Sequence, residues 1–352
     1  MNAASVHRQP RLIAYPRRGI AYCDQLYSTV AALGVEAVEG VWSEQWILRH
    51  VRRRDLVHIH WPSFLYFRSG APFATFYHLL RFFLLAGTIR LLGARIVWTA
   101  HNLYPHDGGR NEWTHRTARR YITRVAQRIF AHGPTAAKIV GAEFGVDPEK
   151  ITLVPHGHWR ELYAHAPNRG EARRHAGLPD DAPIYGFVGS CRPYKNLESI
   201  IEAFARVDRN SHLLIAGEFS SQHYFETIRS MIAPEAVARV HIVDRFLGDD
   251  EIMSYVAGLD ALVLSYKQVL TSGVAMLALS AGVPVVAPRI GGKPDMVCER
   301  TGELYDPTMP DGLAEAMREV LRRTYSSSEI IAHAVSYDWN VSAAAIIELL
   351  ES

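Results

Sequence analysis

Short runs of apolar, largely β-branched or aromatic residues recur along this chain, separated by stretches where apolar positions return every three or four residues. The first runs are 11–15 (RLIAY), 36–41, 55–60 (DLVHIH), 94–100 (ARIVWTA), 128–131 and 151–154. Helical periodicity fills 22–33, 46–53, 112–128 and 135–144. A second series follows, with strands at 184–188, 212–216, 240–243, 261–264 and 284–287. Its helices are expected near 196–207, 222–232, 250–257, 271–281 and 313–323, with a last one over 341–350. Alternation of this kind predicts parallel βα units, and two series predict an α/β chain of two doubly wound halves. Residues 164–183, rich in Pro, Gly, Asp and Arg, read as the linker. The expected domains are therefore 1–165 and 183–330, with 331–352 a C-terminal helix packing back on the first domain. Ligands of open α/β sheets sit at the carboxyl ends of the strands, which is where the motifs below fall.

One segment breaks the pattern. Residues 73–92 (FATFYHLLRFFLLAGTIRLL) are apolar over about two-thirds of their length and roughly long enough to span a bilayer. His78, Arg81 and Arg90 make spanning costly. The two arginines are nine residues apart, so at 100° per residue they fall on opposite sides of a helix. Two readings remain: a helix lying in the membrane interface with arginines snorkelling to phosphates, or a buried core helix.

Composition narrows the choice of class. With 352 residues, 48% hydrophobic and 21% charged, the chain is an ordinary globular protein long enough for two cores. Cys23, Cys191 and Cys298 are scattered and odd in number, which predicts reduced thiols and a cytoplasmic setting. Residues 1–10 are polar, which predicts no signal peptide. The net charge of +2 hides an asymmetry: residues 1–170 hold 22 Lys+Arg against 11 Asp+Glu, and 171–352 hold 16 against 25. A basic first half, including Arg52-Arg53-Arg54, predicts an anionic partner: membrane surface, nucleic acid or phosphorylated substrate.

Two stretches carry candidate chemistry. In 185–198 (YGFVGSCRPYKNLE) a strand ends in Gly189-Ser190, Arg192 and Lys195 follow, and a helix begins. Two cations at a helix N-terminus oppose its macrodipole, which makes sense when an anion lies between them. In 265–295 (SYKQVLTSGVAMLALSAGVPVVAPRIGGKPD) the step Thr271-Ser272-Gly273 opens an apolar helix. Its hydroxyls and free N–H groups either hold an anion or merely cap the helix. Taken together, the two loops suggest a diphosphate site built from Arg192, Lys195, Ser272 and Gly273. The pairs His58/His60, His101/His106 and His156/His158 lack metal spacing, and Asp249-Asp250 reads as a helix start, so no metal is expected. P-loop and dinucleotide fingerprints are absent, which argues against an NTPase or a dehydrogenase. No helix-turn-helix or aromatic RNA platform is legible, and nucleic acid is not an expected partner.

GSCRPYKNLESIIEAF, LLIAGE and LSAGVPVVAPRIGGKPDMV resemble the nucleotide-binding domain of GT-B glycosyltransferases of the large glycosyl-transferase-4-like group; WTAHNLYPHD and VPHGHW resemble its first domain. The resemblance implies two Rossmann-like domains with a cleft between them and a nucleoside-diphosphate sugar donor. It implies that Arg192 and Lys195, beyond Gly189, contact the donor diphosphate and that Arg245-Phe246 lie beside the base. Retaining members carry two glutamates with seven residues between them, but here those places hold Val269 and Leu277. The pattern Tyr266, Thr271, Ser272, Gly273 instead resembles exopolysaccharide enzymes of the xanthan-pathway β-mannosyltransferase kind. That implies a hexosyltransferase working with inversion, GDP-mannose as donor and a polyprenyl-diphosphate-linked oligosaccharide as acceptor at the inner face of the membrane. The alternatives are a retaining enzyme using a UDP-sugar and a non-catalytic sugar-nucleotide-binding protein. Inversion needs a general base in the first domain. Asp107, in a glycine-flanked loop, is the candidate and His101 its rival; Trp61, Asn102, His106 and His156 are expected to meet the acceptor.

Overall fold

The computed structural model describes residues 9–105, 113–161 and 167–352. It divides into two compact units, Met1–Pro155 with Asp338–Ser352, and His156–Tyr337. The chain thus passes from one unit to the other at Pro155/His156, ahead of the 164–183 stretch expected to be the linker.

The first unit runs β1 (Leu12–Tyr15), α1 (Ala21–Ala32), β2 (Ala37–Glu39), α2 (Glu44–His50), β3 (Leu56–Ile59), α3 (Ser63–Tyr66) and α4 (Pro72–Leu91). β4 (Arg95–Thr99), α5 (Trp113–Val125), β5 (Arg128–Ala131), α6 (Pro134–Phe144) and β6 (Ile151–Leu153) follow. All strands are parallel in the order β2-β1-β3-β4-β5-β6, so the winding reverses between β1 and β3. β1 and β3 are buried at every position, as apolar runs covered on both faces by helices should be. Local signals set the helix ends. Ser43 accepts from Trp46 N to start α2, and α6 opens on Pro134 and stops at Gly145 in the left-handed region. The C-terminal helix (Trp339–Glu351) belongs to this unit, packing Trp339, Ala343 and Ile346 inward along α1.

Segment 73–92 is α4, and it is apolar on two opposite sides. Leu79, Phe82, Ala86 and Ile89 form a buried stripe with four-three spacing. Phe73, Tyr77, Leu80, Leu84 and Leu91 form a second stripe that faces outward, Phe73 at 91% and Leu91 at 89% exposed. The Arg81 guanidinium makes two hydrogen bonds to Glu44, at 2.6 and 2.7 Å.

The second unit begins with α7 (Arg169–His175), which lies inside the stretch expected to be linker. Its start is a capping box between Asn168 and Glu171. Arg173, buried, donates to the Gly258 and Ala182 carbonyls and pairs with Asp260, so a residue expected to be linker is part of this unit's core. Then come β7 (Ile184–Val188), α8 (Leu197–Phe204), β8 (His212–Ala216), α9 (Gln222–Ser230), β9 (Val240–Val243), α10 (Asp249–Ala257), β10 (Ala261–Val263) and α11 (Gly273–Ser280). β11 (Val285–Pro288), α12 (Lys293–Met296), β12 (Gly302–Tyr305), α13 (Gly312–Arg322) and α14 (Ser327–Val335) complete it. β12, a half-polar edge strand, and α14 lie outside the expected elements; α14 nevertheless carries a legible start, with Ser326 accepting from Glu329 N. The parallel order is β12-β11-β10-β7-β8-β9, with the winding reversing between β7 and β10. Asp249, Asp250 and Glu251 form the first turn of α10, as their sequence suggested.

Candidate functional site

A ligand crevice in a sheet of this kind opens where the winding reverses, at the carboxyl ends of β7 and β10. β7 runs out into Gly189, whose φ of +113° suits glycine, and a Cβ on nearby Gly217 would collide with the Gly189 carbonyl. The chain then makes a single 3₁₀ turn over Pro193–Lys195 and enters α8 through Asn196, held in the left-handed region at φ +58°. Ser265, just past β10, donates to both the Lys195 and Asn196 carbonyls at 2.8 Å, tying the two strand ends together. Lys195 is only 6% exposed. Its Nζ donates to Ser190 Oγ at 3.3 Å and lies 5.3 Å from the Phe187 ring centre and 5.7 Å from that of Tyr266. Burial brings its ammonium down to about 8; the Cys191 thiol opposes that shift and Arg192 adds to it.

The first turn of α11 meets this loop. A Cβ on Gly189 would stand 3.6 Å from both Lys195 Nζ and Val274 Cγ2. Ser272 does cap α11, its Oγ accepting from Ala275 N at 3.3 Å, and its side chain lies near the Tyr266 hydroxyl. Capping takes up the N–H of Ala275; those of Gly273 and Val274, earlier in the turn, have no acceptor within the helix. Thr271 Oγ1 is buried and has no hydrogen-bond partner among the described residues. Of the expected donor residues, then, Gly189, Lys195, Tyr266, Thr271, Ser272 and Gly273 come together. Arg192 is exposed beside them. Arg245 is committed to Glu251 at 2.6 and 2.9 Å, and Phe246 stands 76% exposed, so neither is gathered into this group.

His156, expected to meet the acceptor, lies at the donor loop: its Nε2 is 3.5 Å from where a Cβ on Gly273 would stand. Trp159 beside it donates through Nε1 to the Gly273 carbonyl at 3.3 Å and through its backbone N–H to Ser280 Oγ at 3.0 Å. Burial pushes His156 down to about 4, so it is neutral at physiological pH. The sequence reading also passed over Lys293, 1% exposed, whose Nζ lies 4.6 Å from the Tyr266 ring centre. Its one visible signal was position: a cation directly after the Gly291-Gly292 turn at a strand end.

In the first unit the carboxyl ends of β3, β4 and β5 carry imidazoles. His58 and His60, two apart on β3 and its extension, share a side of the sheet by strand periodicity. The Tyr27 hydroxyl reaches His58 Nδ1 at 2.9 Å and His60 Nε2 at 2.7 Å. His58 Nε2 meets Thr99 Oγ1 at 2.7 Å, His60 Nδ1 meets His101 Nε2 at 3.0 Å, and His101 Nδ1 meets His132 Nε2 at 3.4 Å. His132 Nδ1 ends the chain on the Val154 carbonyl at 3.3 Å. A carbonyl only accepts, so His132 carries its proton on Nδ1, and each neutral ring before it must do the same. Every proton is then placed: Thr99 donates to His58, His58 to Tyr27, Tyr27 to His60, His60 to His101, His101 to His132. Burial lowers His58 to about 3 and His60 well below its ordinary value, consistent with neutral rings.

That chain changes the reading of His101. As a base it would need a nitrogen turned toward an acceptor hydroxyl, but one faces His60 and the other His132. Trp61 stacks on its ring at 4.2 Å, and Tyr22 meets it edge-on at 4.6 Å. Trp61 and Asn102, expected at the acceptor, stand half-buried at this edge. His106 and Asp107 lie outside the described residues. Among the described residues no group of three His, Cys, Asp or Glu is arranged to hold a metal ion.

Comparison with known proteins bears on both units. The family model "Glycosyl transferases group 1" matches residues 168–351, and "Glycosyltransferase Family 4" matches 38–158. A GDP-mannose:glycolipid 4-beta-D-mannosyltransferase of Xanthomonas campestris pv. campestris is 27% identical over 237 residues, 67% of this chain and 62% of that protein. A D-inositol 3-phosphate glycosyltransferase of Corynebacterium glutamicum is 30% identical over 220 residues, 58% of this chain and 52% of its own length. The match thus spans less than two thirds of either relative. Among solved structures, sucrose-phosphate synthase from Thermosynechococcus elongatus superposes with a TM-score of 0.75 at 17% identity, covering 98% of each chain. Anabaena HepE in complex with UDP gives 0.72 at 16%, covering 98% of this chain and all of that one. At such identity these two structures speak to the fold, two Rossmann-like domains of the GT-B kind.

Proposed function

The chain belongs to the group 1 glycosyl transferases, and from that premise we propose that it moves a hexosyl group from a nucleoside-diphosphate sugar, GDP-mannose foremost, onto a lipid-linked oligosaccharide. The carrying observation is the meeting of Gly189, the buried Lys195 ammonium and the first turn of α11 at the point where the second sheet reverses its winding. An ammonium and free helix N–H groups aimed at one spot suit a diphosphate and the charge that develops on it as it leaves, with no metal required. GDP-mannose is favoured by the named activity of the Xanthomonas relative. Inversion, with Asp107 taking the acceptor proton, is favoured by Val269 and Leu277 at the two glutamate places. The test is release of nucleoside diphosphate from GDP-mannose and from UDP-sugars, with and without a polyprenyl-diphosphate-oligosaccharide acceptor, and NMR of the product anomer. Acceptor-dependent GDP release with inversion is expected. UDP release with retention would replace this reading by the retaining one; binding of a nucleotide sugar without turnover would leave a binding protein.

The acceptor's lipid suits a protein at the inner face of the cell membrane, docked through the outward stripe of α4. α4 is long and apolar enough to cross a bilayer, but its other side is packed into its own unit, so lipid can cover only the stripe from Phe73 to Leu91. The arginine-rich first half adds attraction to anionic lipid.

A further inference from the structure

Lys293 is buried, and its Nζ makes no hydrogen bond to any described residue. In its charged form this group has three protons to donate and no lone pair, so that form is satisfied only by an acceptor. The Tyr266 ring face lies beside it, no ion pair links it to a described carboxylate, and burial lowers it to about 7. A second buried ammonium, that of Lys195, lies 5.7 Å from the centre of the same ring. Two like charges near one ring, one of them without an acceptor, make a costly arrangement in the unliganded protein.

The loop geometry gives it a purpose. Gly292 N donates to the Leu270 carbonyl at 2.8 Å, and a Cβ on Gly291 would collide with the Val269 carbonyl. The turn that carries Lys293 is thereby pressed against the loop that leads into Thr271-Ser272-Gly273. Thr271 Oγ1, on that loop, is also buried without a partner among the described residues. Two such polar groups thus belong to adjoining backbones at the start of α11, with the Tyr266 ring beside Lys293. Resting on the donor reading above, we infer that Lys293 is a further ligand of the donor's diphosphate, its ammonium partnered when that anion binds beside Tyr266. Lys195 and Lys293 then bracket the leaving group from two loops, 3₁₀ turn on one side and glycine turn on the other.

The test uses the full chain with GDP, UDP and inorganic pyrophosphate as probes, GMP and UMP as controls, by titration calorimetry and thermal unfolding. Lys293→Met keeps length and removes charge. Its melting temperature without ligand should equal or exceed that of the wild type, while affinity for the diphosphates falls about tenfold or more and that for the monophosphates much less. Lys293→Arg keeps the charge and should hold diphosphate affinity within about threefold of the wild type. Diphosphate affinity unchanged in Lys293→Met, or lost as fully in Lys293→Arg, overturns the assignment while leaving the donor reading standing. Failure of the wild type to bind any of the diphosphate probes overturns both.

Discussion

At the carboxyl edge of the first sheet, four imidazoles, a phenol and a threonine hydroxyl hand hydrogen bonds from one to the next until the last reaches a backbone carbonyl. At the same edge of the second sheet, two buried lysine amines lie by one tyrosine ring, one of them with no hydrogen bond to any described residue. Both edges are polar, buried and built by loops after parallel strands, yet one is complete and the other is not. The difference lies in valence. A neutral imidazole both gives and takes, so a row of them can satisfy itself; an ammonium only gives, so without carboxylates its partner has to come from outside. A self-satisfied network rigidifies and shapes its surroundings, whereas an unsatisfied cationic one marks where an anion is to bind.

The largest effect should come from breaking the chemistry itself. Asp107→Asn removes basicity and keeps shape, and turnover should fall by about 10²–10⁴ with donor affinity retained. Near-normal turnover would move the base elsewhere. His101→Ala should cost less turnover, since its nitrogens already serve the chain.

Next comes the cationic edge. Lys195→Met should weaken GDP or UDP binding by roughly ten- to a hundredfold, about 1.5–3 kcal/mol for a charge-assisted contact. Arg192→Ala should cost less, because its guanidinium is exposed to solvent. Equal losses in calorimetry would show that burial is not what separates them.

The histidine edge should respond in stability instead. Tyr27→Phe leaves His60 Nε2 without its donor and His58 Nδ1 without its acceptor, which should cost about 1–3 kcal/mol in urea unfolding with donor affinity intact. The pH dependence has a definite sign. His58 titrates near 3 when folded and near its ordinary 6.5 when unfolded, so between those values the unfolded chain binds more protons. Stability should therefore be full above pH 6.5 and fall as the pH drops toward 3, and Tyr27→Phe should not remove that slope. A melting temperature flat from pH 6.5 to 4 would show that the rings are not held neutral by burial.

The smallest effects are expected on the outside of α4. Leu80→Ser and Leu84→Ser should each weaken sedimentation with anionic vesicles by roughly fivefold, about 1 kcal/mol of apolar contact, and leave melting unchanged. Phe82→Ser is the internal contrast: Phe82 is fully buried, so that change should unfold the unit rather than release it. A wild type that stays in solution with such vesicles at low salt would end the membrane proposal.

The apolar runs and their spacing carried the strand order's raw material: most strands, the α/β class and the loops where Gly189, Lys195 and Ser272 stand are legible because periodicity and glycine placement are local properties. α7 and α14 are not legible as helices from periodicity although each opens with a capping pattern, Asn168 with Glu171 and Ser326 with Glu329, because each is short and few of its positions are buried. Composition likewise marked 73–92 as unusual but not which of its sides would be covered; that was settled by α4 packing Phe82 inward and turning Leu84 out.

By itself the sequence determined the valence of every group: that a lysine can only donate, that a histidine can do both, that a glycine can turn where others strain. Only the tertiary structure decided which valences are filled. His58 finds Thr99 across 41 residues, His60 finds His101 across another 41, and Lys195 is locked by Ser265 across 70, separations over which no local pattern carries information. The same folding buried Lys293 with no acceptor among the described residues, and because burial removes water as a partner, what was an ordinary cation in the chain became a site.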